Sequence, residues 1–234
     1  MDNMKHFIIS RVALKWKFKQ VGMTWEAWLK ESVELYDKYL RASLRKQAFQ
    51  NFTLVTLVDE SVTDEQLGHR LKNEIVVRVF RMNIIHALRS QIDLSGMDKI
   101  LITRCDRDDV LRNNFVHQLQ MLLAADKQPP FYFDIMSYYI WNGRQLNKFQ
   151  YMSDRTSPFV STLEKVKEGK AVFYPYKYKH GYVIDQMGGV KDDSLRAIQV
   201  IHKHNVLNRM EGRQVNVTPE RLKYFLNQYA IKIC

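Results

Sequence analysis

Cysteine is nearly absent: Cys105 and Cys234 are the only two among 234 residues. Neither has the spacing of a disulfide framework or of a paired C-x-x-C metal site, so the expectation is a reducing compartment. Proline (5) and glycine (9) are also sparse, which excludes a collagen-like repeat and argues against a flexible linker or disordered tail. No run approaches the roughly 18 apolar residues needed to span a bilayer. The first residues, MDNMKHFIISRVALKWKFKQ, lack the apolar core of about 7–15 residues that a secretory signal requires. Together these absences predict a cytoplasmic protein, with peripheral membrane contact left open by basic charge and scattered aromatics. The glycine-rich phosphate loop, the G-x-S-x-G elbow and the H-E-x-x-H motif are missing too, which lowers P-loop, serine-hydrolase and zincin chemistry.

What is present is a chain of one-domain length, at roughly 100–200 residues per domain. It is 46% hydrophobic and 26% charged, a globular composition. The net charge of +11 favours polyanions: nucleic acid, phosphate-bearing small molecules or anionic lipid.

HFIISRVAL is short and β-branched and predicts a strand. Trp25, Trp28, Leu29, Val33, Tyr36, Tyr39 and Leu40 recur at helical spacing after the capping residue Thr24, predicting one long amphipathic helix. NFTLVTLVDE is apolar on both faces, as in an interior strand, and ends at Asp59. Thr63 and Gln66 form a capping-box pattern opening a helix over DEQLGHRLK. IVVRVF, MNIIHALRSQ, DKILITRC and NNFVHQLQMLLAA continue the alternation of strand and helix. The predicted class is therefore α/β, a mostly parallel central sheet with flanking helices. Near residue 128 the rhythm changes to a smaller mixed region, giving a first part of about 1–127 and a second of about 128–234. Asn142-Gly143 signals a hairpin. Ser157 to Gly169 reads as a short helix, AVFYPYKYKHGYVI as strand and loop, Gly188-Gly189 as a turn or mobile loop, and DSLRAIQVIHKHN as a helix. Thr218 and Pro219 open a last helix.

The strongest local feature is ILITRCDRDD. A strand runs directly into Asp106, Asp108 and Asp109, and ligands of open α/β sheets bind at such strand ends. In an extended segment Asp106 and Asp108 point the same way and converge on one cation. Paired carboxylates suit Mg2+ or Mn2+ shared with substrate phosphates. Asp109 has the alternative role of capping the following helix. Asp59 sits where a base or ribose contact is expected. His202 and His204 lie in VIHKHN, where one of them completes a carboxylate–histidine site.

This ordered set, HFIISRVALKW, WLKESVELYDKYLRASLRKQAFQNFTLVTLVDE, ILITRCDRDD, SPFVSTLE and LRAIQVIHKHNVLNR, resembles the rhamnosyltransferase family within the GT-A glycosyltransferases. The resemblance implies a single GT-A-like domain, a divalent metal, a nucleoside-diphosphate-sugar donor of UDP, dTDP or GDP type, and a glycan acceptor. It implies that Asp106 and Asp108 are the outer members of a D-x-D motif, with Asp109 the acid after it. It implies donor contacts from Arg11, Asp59, Arg104, Asp106 and Asn205, and metal contacts from Asp106, Asp108 and His202. The chain departs from the family pattern at Cys105, Arg107, Lys203 and Leu195. An inverting transfer also needs a base for the acceptor hydroxyl, for which Asp185, Asp192 and Asp193 are the candidates. The competing reading is a nucleic-acid-binding protein or metal-dependent nuclease. Its basic residues are dispersed rather than gathered in one motif, which disfavours nucleic acid. A third is a degenerate transferase fold that only binds.

Overall fold

The computed structural model describes residues 4–18, 22–123, 127–150, 155–178, 180–202 and 212–232. The chain runs β1 (Met4–Ala13), α1 (Lys15–Phe18), α2 (Trp25–Tyr36), a π-helical turn (Asp37–Arg41), α3 (Ala42–Arg45), β2 (Thr53–Asp59), β3 (Glu74–Val79), α4 (Ile84–Gln91), β4 (Lys99–Asp106), β5 (Asp109–Leu111) and α5 (Phe115–Leu123). It continues through β6 (Phe131–Ile135), β7 (Ser137–Trp141), β8 (Leu146–Gln150), β9 (Ser161–Lys165), α6 (Tyr174–Lys177), β10 (Gly188–Asp192), β11 (Ala197–Val200), β12 (Arg213–Gln214) and α7 (Pro219–Asn227).

Among the described residues, seven strands form the central sheet, in the order β10-β6-β9-β4-β1-β2-β3. Only β9 runs against its neighbours, so the sheet is mostly parallel, as the alternation predicts. Its interior strands are apolar on both faces because each face is covered. Ile8 and Val12 of β1 and Leu54 and Val58 of β2 pack under α2 residues Trp28, Leu29 and Tyr36. Phe7, Ile9, Val55 and Leu57 face α4 and α6 on the other side. Each fully buried residue of this kind contributes about 1.5–3 kcal/mol. A second sheet, in the order β12-β8-β7-β11-β5, stands beside the first.

The caps form where the sequence places them. Thr24 Oγ1 accepts the Ala27 N–H at 3.3 Å and Thr218 Oγ1 the Arg221 N–H at 3.4 Å. Thr63 and Gln66 make the reciprocal box, but it opens only a three-residue 3-10 turn, Glu65–Leu67. Gly68 ends that turn with φ +64°, a conformation that suits glycine. The long helix is continuous only through the π-helical turn, where the fully buried Arg41 leaves it to reach Glu74. Around Asn142-Gly143, β7 and β8 pair as the expected hairpin.

Four further segments differ from the sequence reading. Ser161–Lys165, expected as a helix, is the antiparallel strand β9, inserted between β4 and β6, with its first four residues buried. The aromatic stretch expected as strand and loop holds the short helix α6, started by Pro175 and by Phe173 in a left-handed conformation. Gly188-Gly189 begins edge strand β10 rather than a loop. A side chain at Gly189 would run into the ring of its register partner Tyr132, so this close pairing favours glycine. Finally, Ala197–Val200 is a strand, not a helix, because β5 and β7 flank it and bury it.

Candidate active site

The carboxyl ends of β1, β2 and β4 lie side by side, since these strands are parallel neighbours. Arg11 and Asp106 are direct register partners there. The Arg11 guanidinium donates to Asp106 through Nε at 3.0 Å and through one terminal nitrogen at 2.6 and 2.9 Å. Burial pulls the Arg11 pKa down, and the charge and hydrogen bonds of Asp106, with the charges of Tyr176 and Asp109, together hold the group above its ordinary value. Arg104 lies 3.8 Å from Asp106 Oδ2. Its pKa is lowered by burial and by the positive charge of Arg11. Tyr176 of α6 reaches under this pair and donates its hydroxyl to the Ile9 carbonyl at 2.6 Å.

β4 stops at Asp106, and the chain turns through Arg107 and Asp108 before β5. The two-residue alternation therefore does not carry past Asp106. Asp106 faces Arg11, while Asp108 faces His202, with Asp108 Oδ2 and His202 Nε2 3.1 Å apart. The second sheet explains this meeting. Gln199 of β11 pairs with Asp109 of β5 in antiparallel register, so the chain beyond Val200 runs back alongside the acidic turn. His202 thus follows a strand, not a helix. Asp109 is buried and accepts the Asp106 backbone N–H at 2.7 Å. Burial, then the charges of Asp108 and Asp106, push its carboxyl pKa well up. It braces the turn rather than capping α5, which starts six residues later.

The ladder between β1 and β2 slips between Arg11 and Ala13. Such irregularities re-aim chain ends near sites. Here the Val12 carbonyl accepts from Arg107 at 3.2 Å, and the Arg107 guanidinium lies 4.9 Å from the centre of the Trp28 ring. Trp28 stacks on Trp25 at 5.5 Å, and Lys15 stands over Trp25 at 5.4 Å. Lys15 is also 3.6 Å from Asp59. Asp59 closes β2 as expected and accepts the Ser61 N–H and hydroxyl. Lys15, Trp25, Trp28, Tyr176 and Glu31, whose Oε1 lies 3.8 Å from His202 Nδ1, are not among the residues the sequence singles out. The helix charges carried no motif, and the tryptophans fitted a core stripe equally well.

The three acceptor-side aspartates do not join this cluster through any described contact. Asp185 lies in a 3-10 turn, His180–Gln186. Asp192 ends β10 and accepts the Ser194 N–H at 2.6 Å and the Ser194 hydroxyl. Asp193 pairs with Arg196 at 2.9 Å. They precede strand β11 rather than a helix. Asn205 and His204 lie outside the described residues.

Among the described residues, no three His, Cys, Asp or Glu side chains are grouped to hold a metal ion. The Asp108–His202 pair offers one carboxylate oxygen and one imidazole nitrogen. That donor set fits a Mg2+ or Mn2+ ion bound by one or two protein groups and completed by substrate phosphates and water. No helix among the described residues is long and apolar enough to cross a membrane.

A solved 2-C-methyl-D-erythritol 4-phosphate cytidylyltransferase of Francisella tularensis is 11% identical, with 96% of this chain and 99% of that chain covered at a TM-score of 0.38. No curated protein matches. A family model described as "Putative rhamnosyl transferase" matches residues 21–214. That span holds β2, the acidic turn, β9 and the β11–His202 segment, and on it the chain belongs to this family of glycosyltransferases.

Proposed function

We propose that the protein moves a sugar, rhamnose by the family description, from a nucleoside-diphosphate donor to a glycan hydroxyl, with Mn2+ or Mg2+ at the acidic turn. The observation that carries this reading is the 3.1 Å approach of His202 Nε2 to Asp108 Oδ2, set up where β11 runs back beside β5 at the end of β4. In this reading residues of about 1–127 bind the donor and those of about 128–234 face the acceptor.

Asp108 and His202 are the groups that would hold the cation, which supplies Lewis-acid stabilisation of the departing diphosphate when bound. Asp106 is held by Arg11 and orients the donor ribose or the metal's water shell. Arg11 and Arg104 add fixed positive charge beside the diphosphate. Such charge accelerates transfer to the extent that it binds the leaving group more tightly than the intact donor. Lys15 and Asp59 sit together on the nucleoside side. Asp59 is already oriented by Ser61, so it keeps acceptor capacity for a base or ribose hydroxyl. Asp192, Asp193 and Asp185 are the carboxylates proposed to take the acceptor proton in an inverting transfer. Asp192 is fixed by Ser194, and Asp193 is the more exposed of that pair.

The test is a nucleotide-release assay with UDP-, dTDP- and GDP-sugars under Mn2+, Mg2+ and chelator. Turnover of one donor class that needs metal and falls at least 100-fold in Asp108→Ala supports the reading. Metal-independent turnover unaffected by that substitution contradicts it.

A further inference from the structure

His202 stands between two carboxylates from different parts of the chain. Its Nε2 is 3.1 Å from Asp108 Oδ2, and its Nδ1 is 3.8 Å from Glu31 Oε1 on α2. The side chains of His202, Asp108 and Glu31 are 14%, 12% and 23% exposed, so little water screens their interaction. Glu31 is fixed by its helix. Its neighbours Trp28, Leu29 and Ser32 are buried, and Ser32 donates its hydroxyl to the Trp28 carbonyl at 2.7 Å. The helix therefore cannot roll Glu31 away from His202 without exposing a tryptophan and a leucine.

A neutral imidazole carries one hydrogen, on either ring nitrogen, and an ionised carboxylate only accepts. A histidine that offers its Nε2 lone pair to a cation must keep its hydrogen on Nδ1. Glu31 is the acceptor facing that nitrogen. At 3.8 Å the contact is an ion-pair separation; a closure of about 0.8 Å makes it a hydrogen bond.

We infer that Glu31 is a positioning residue for His202, holding the ring with Nε2 aimed at the acidic turn and raising its strength as a ligand. This rests on the metal reading above. Outer-shell carboxylates of this kind typically affect metal affinity 10–100-fold. Nothing in the sequence marks Glu31, which reads as an ordinary charge on a helix face.

The test is Mn2+ titration followed by electron paramagnetic resonance, using the whole chain and the metal alone. Wild type, Glu31→Gln, Glu31→Ala and His202→Ala are compared, with circular dichroism melts to check that each is folded. The expected result is about 10–100-fold weaker binding in Glu31→Ala. Glu31→Gln should stay within about threefold, because its amide oxygen still accepts from Nδ1. Unchanged affinity in Glu31→Ala, with wild type binding and His202→Ala not, overturns the role of Glu31 and leaves the metal reading intact. Equal weakening in Glu31→Gln and Glu31→Ala also overturns it, since bare charge and not ring orientation would then be at work. Absence of Mn2+ binding by wild type overturns the metal reading itself and the role of Glu31 with it.

Discussion

Arg11 and Asp106 are register partners on neighbouring parallel strands, and their side chains close a pair with contacts of 2.6, 2.9 and 3.0 Å. This pairing separates the two outer aspartates of the acidic motif. Asp106 is turned toward β1 and Asp108 toward His202. One carboxylate thus meets a guanidinium of the neighbouring strand, and the other meets an imidazole.

Arg11→Ala should destabilise the fold by about 2 kcal/mol, the scale of charge-assisted hydrogen bonds lost from a part-buried carboxylate. Arg11→Lys should recover less than half, since an ammonium lacks the planar two-nitrogen fork. Urea unfolding of the three proteins checks this. Arg11→Ala as stable as wild type contradicts it.

Arg41 offers a harder test of what orders α2. It is fully buried and donates to Glu74 at 2.7 and 3.1 Å, to Asp37 at 2.8 Å and to the Leu67 carbonyl at 2.9 Å. Arg41→Ala leaves the buried Glu74 carboxylate without its counter-charge and should cost about 3–5 kcal/mol. Replacing both partners, Arg41→Met with Glu74→Leu, should cost clearly less, because no charge is then stranded. Equal losses in the single and double variants would contradict this account.

Two buried groups set opposing pH trends. Burial pushes the His6 imidazole from 6.5 down to about 3. The unfolded chain gains a proton below pH 6.5 that the folded chain refuses, so stability is lost as pH falls from 6.5 toward 3. The loss is about 2 kcal/mol at pH 5. Burial raises Asp134 from 3.8 to about 6, against hydrogen bonds from Ser157 that act the other way. Its contribution is fully present below pH 3.8 and is lost as pH rises through 6, by about 3 kcal/mol. Urea midpoints from pH 4 to 7 separate the two. The advantage of wild type over His6→Gln should shrink as pH falls, and that over Asp134→Asn should shrink as pH rises. Parallel profiles for all three proteins would contradict both.

The sheet was legible because β1, β2 and β4 are apolar on both faces and are separated by capped helices. Asp59, Asp106 and Asp108 were legible for the same reason, since they stand where apolar runs stop. The second part was harder to read. Ala-Ile-Gln-Val at 197–200 is a short apolar run that fits helix or strand equally well, and only its neighbours β5 and β7 decide. The residues alone therefore point to His202 or His204 without choosing, and the family resemblance is what selects His202. The turn at Arg107 that sends Asp108 away from Asp106 has no glycine or proline to announce it. Glu31 was invisible because its partner lies 171 residues away, beyond any local pattern.

The most direct test of the account is a thermal-shift series with UDP, GDP and dTDP, each with and without Mn2+. At about one hundred times Kd, a bound ligand adds about 2.7 kcal/mol. For a chain of this size that corresponds to a rise in Tm of about 5–10 °C. The account predicts such a rise with one nucleotide class only when Mn2+ is present, and its loss in Asp108→Ala and in His202→Ala. An equal rise in chelator, or one retained in both variants, would contradict it.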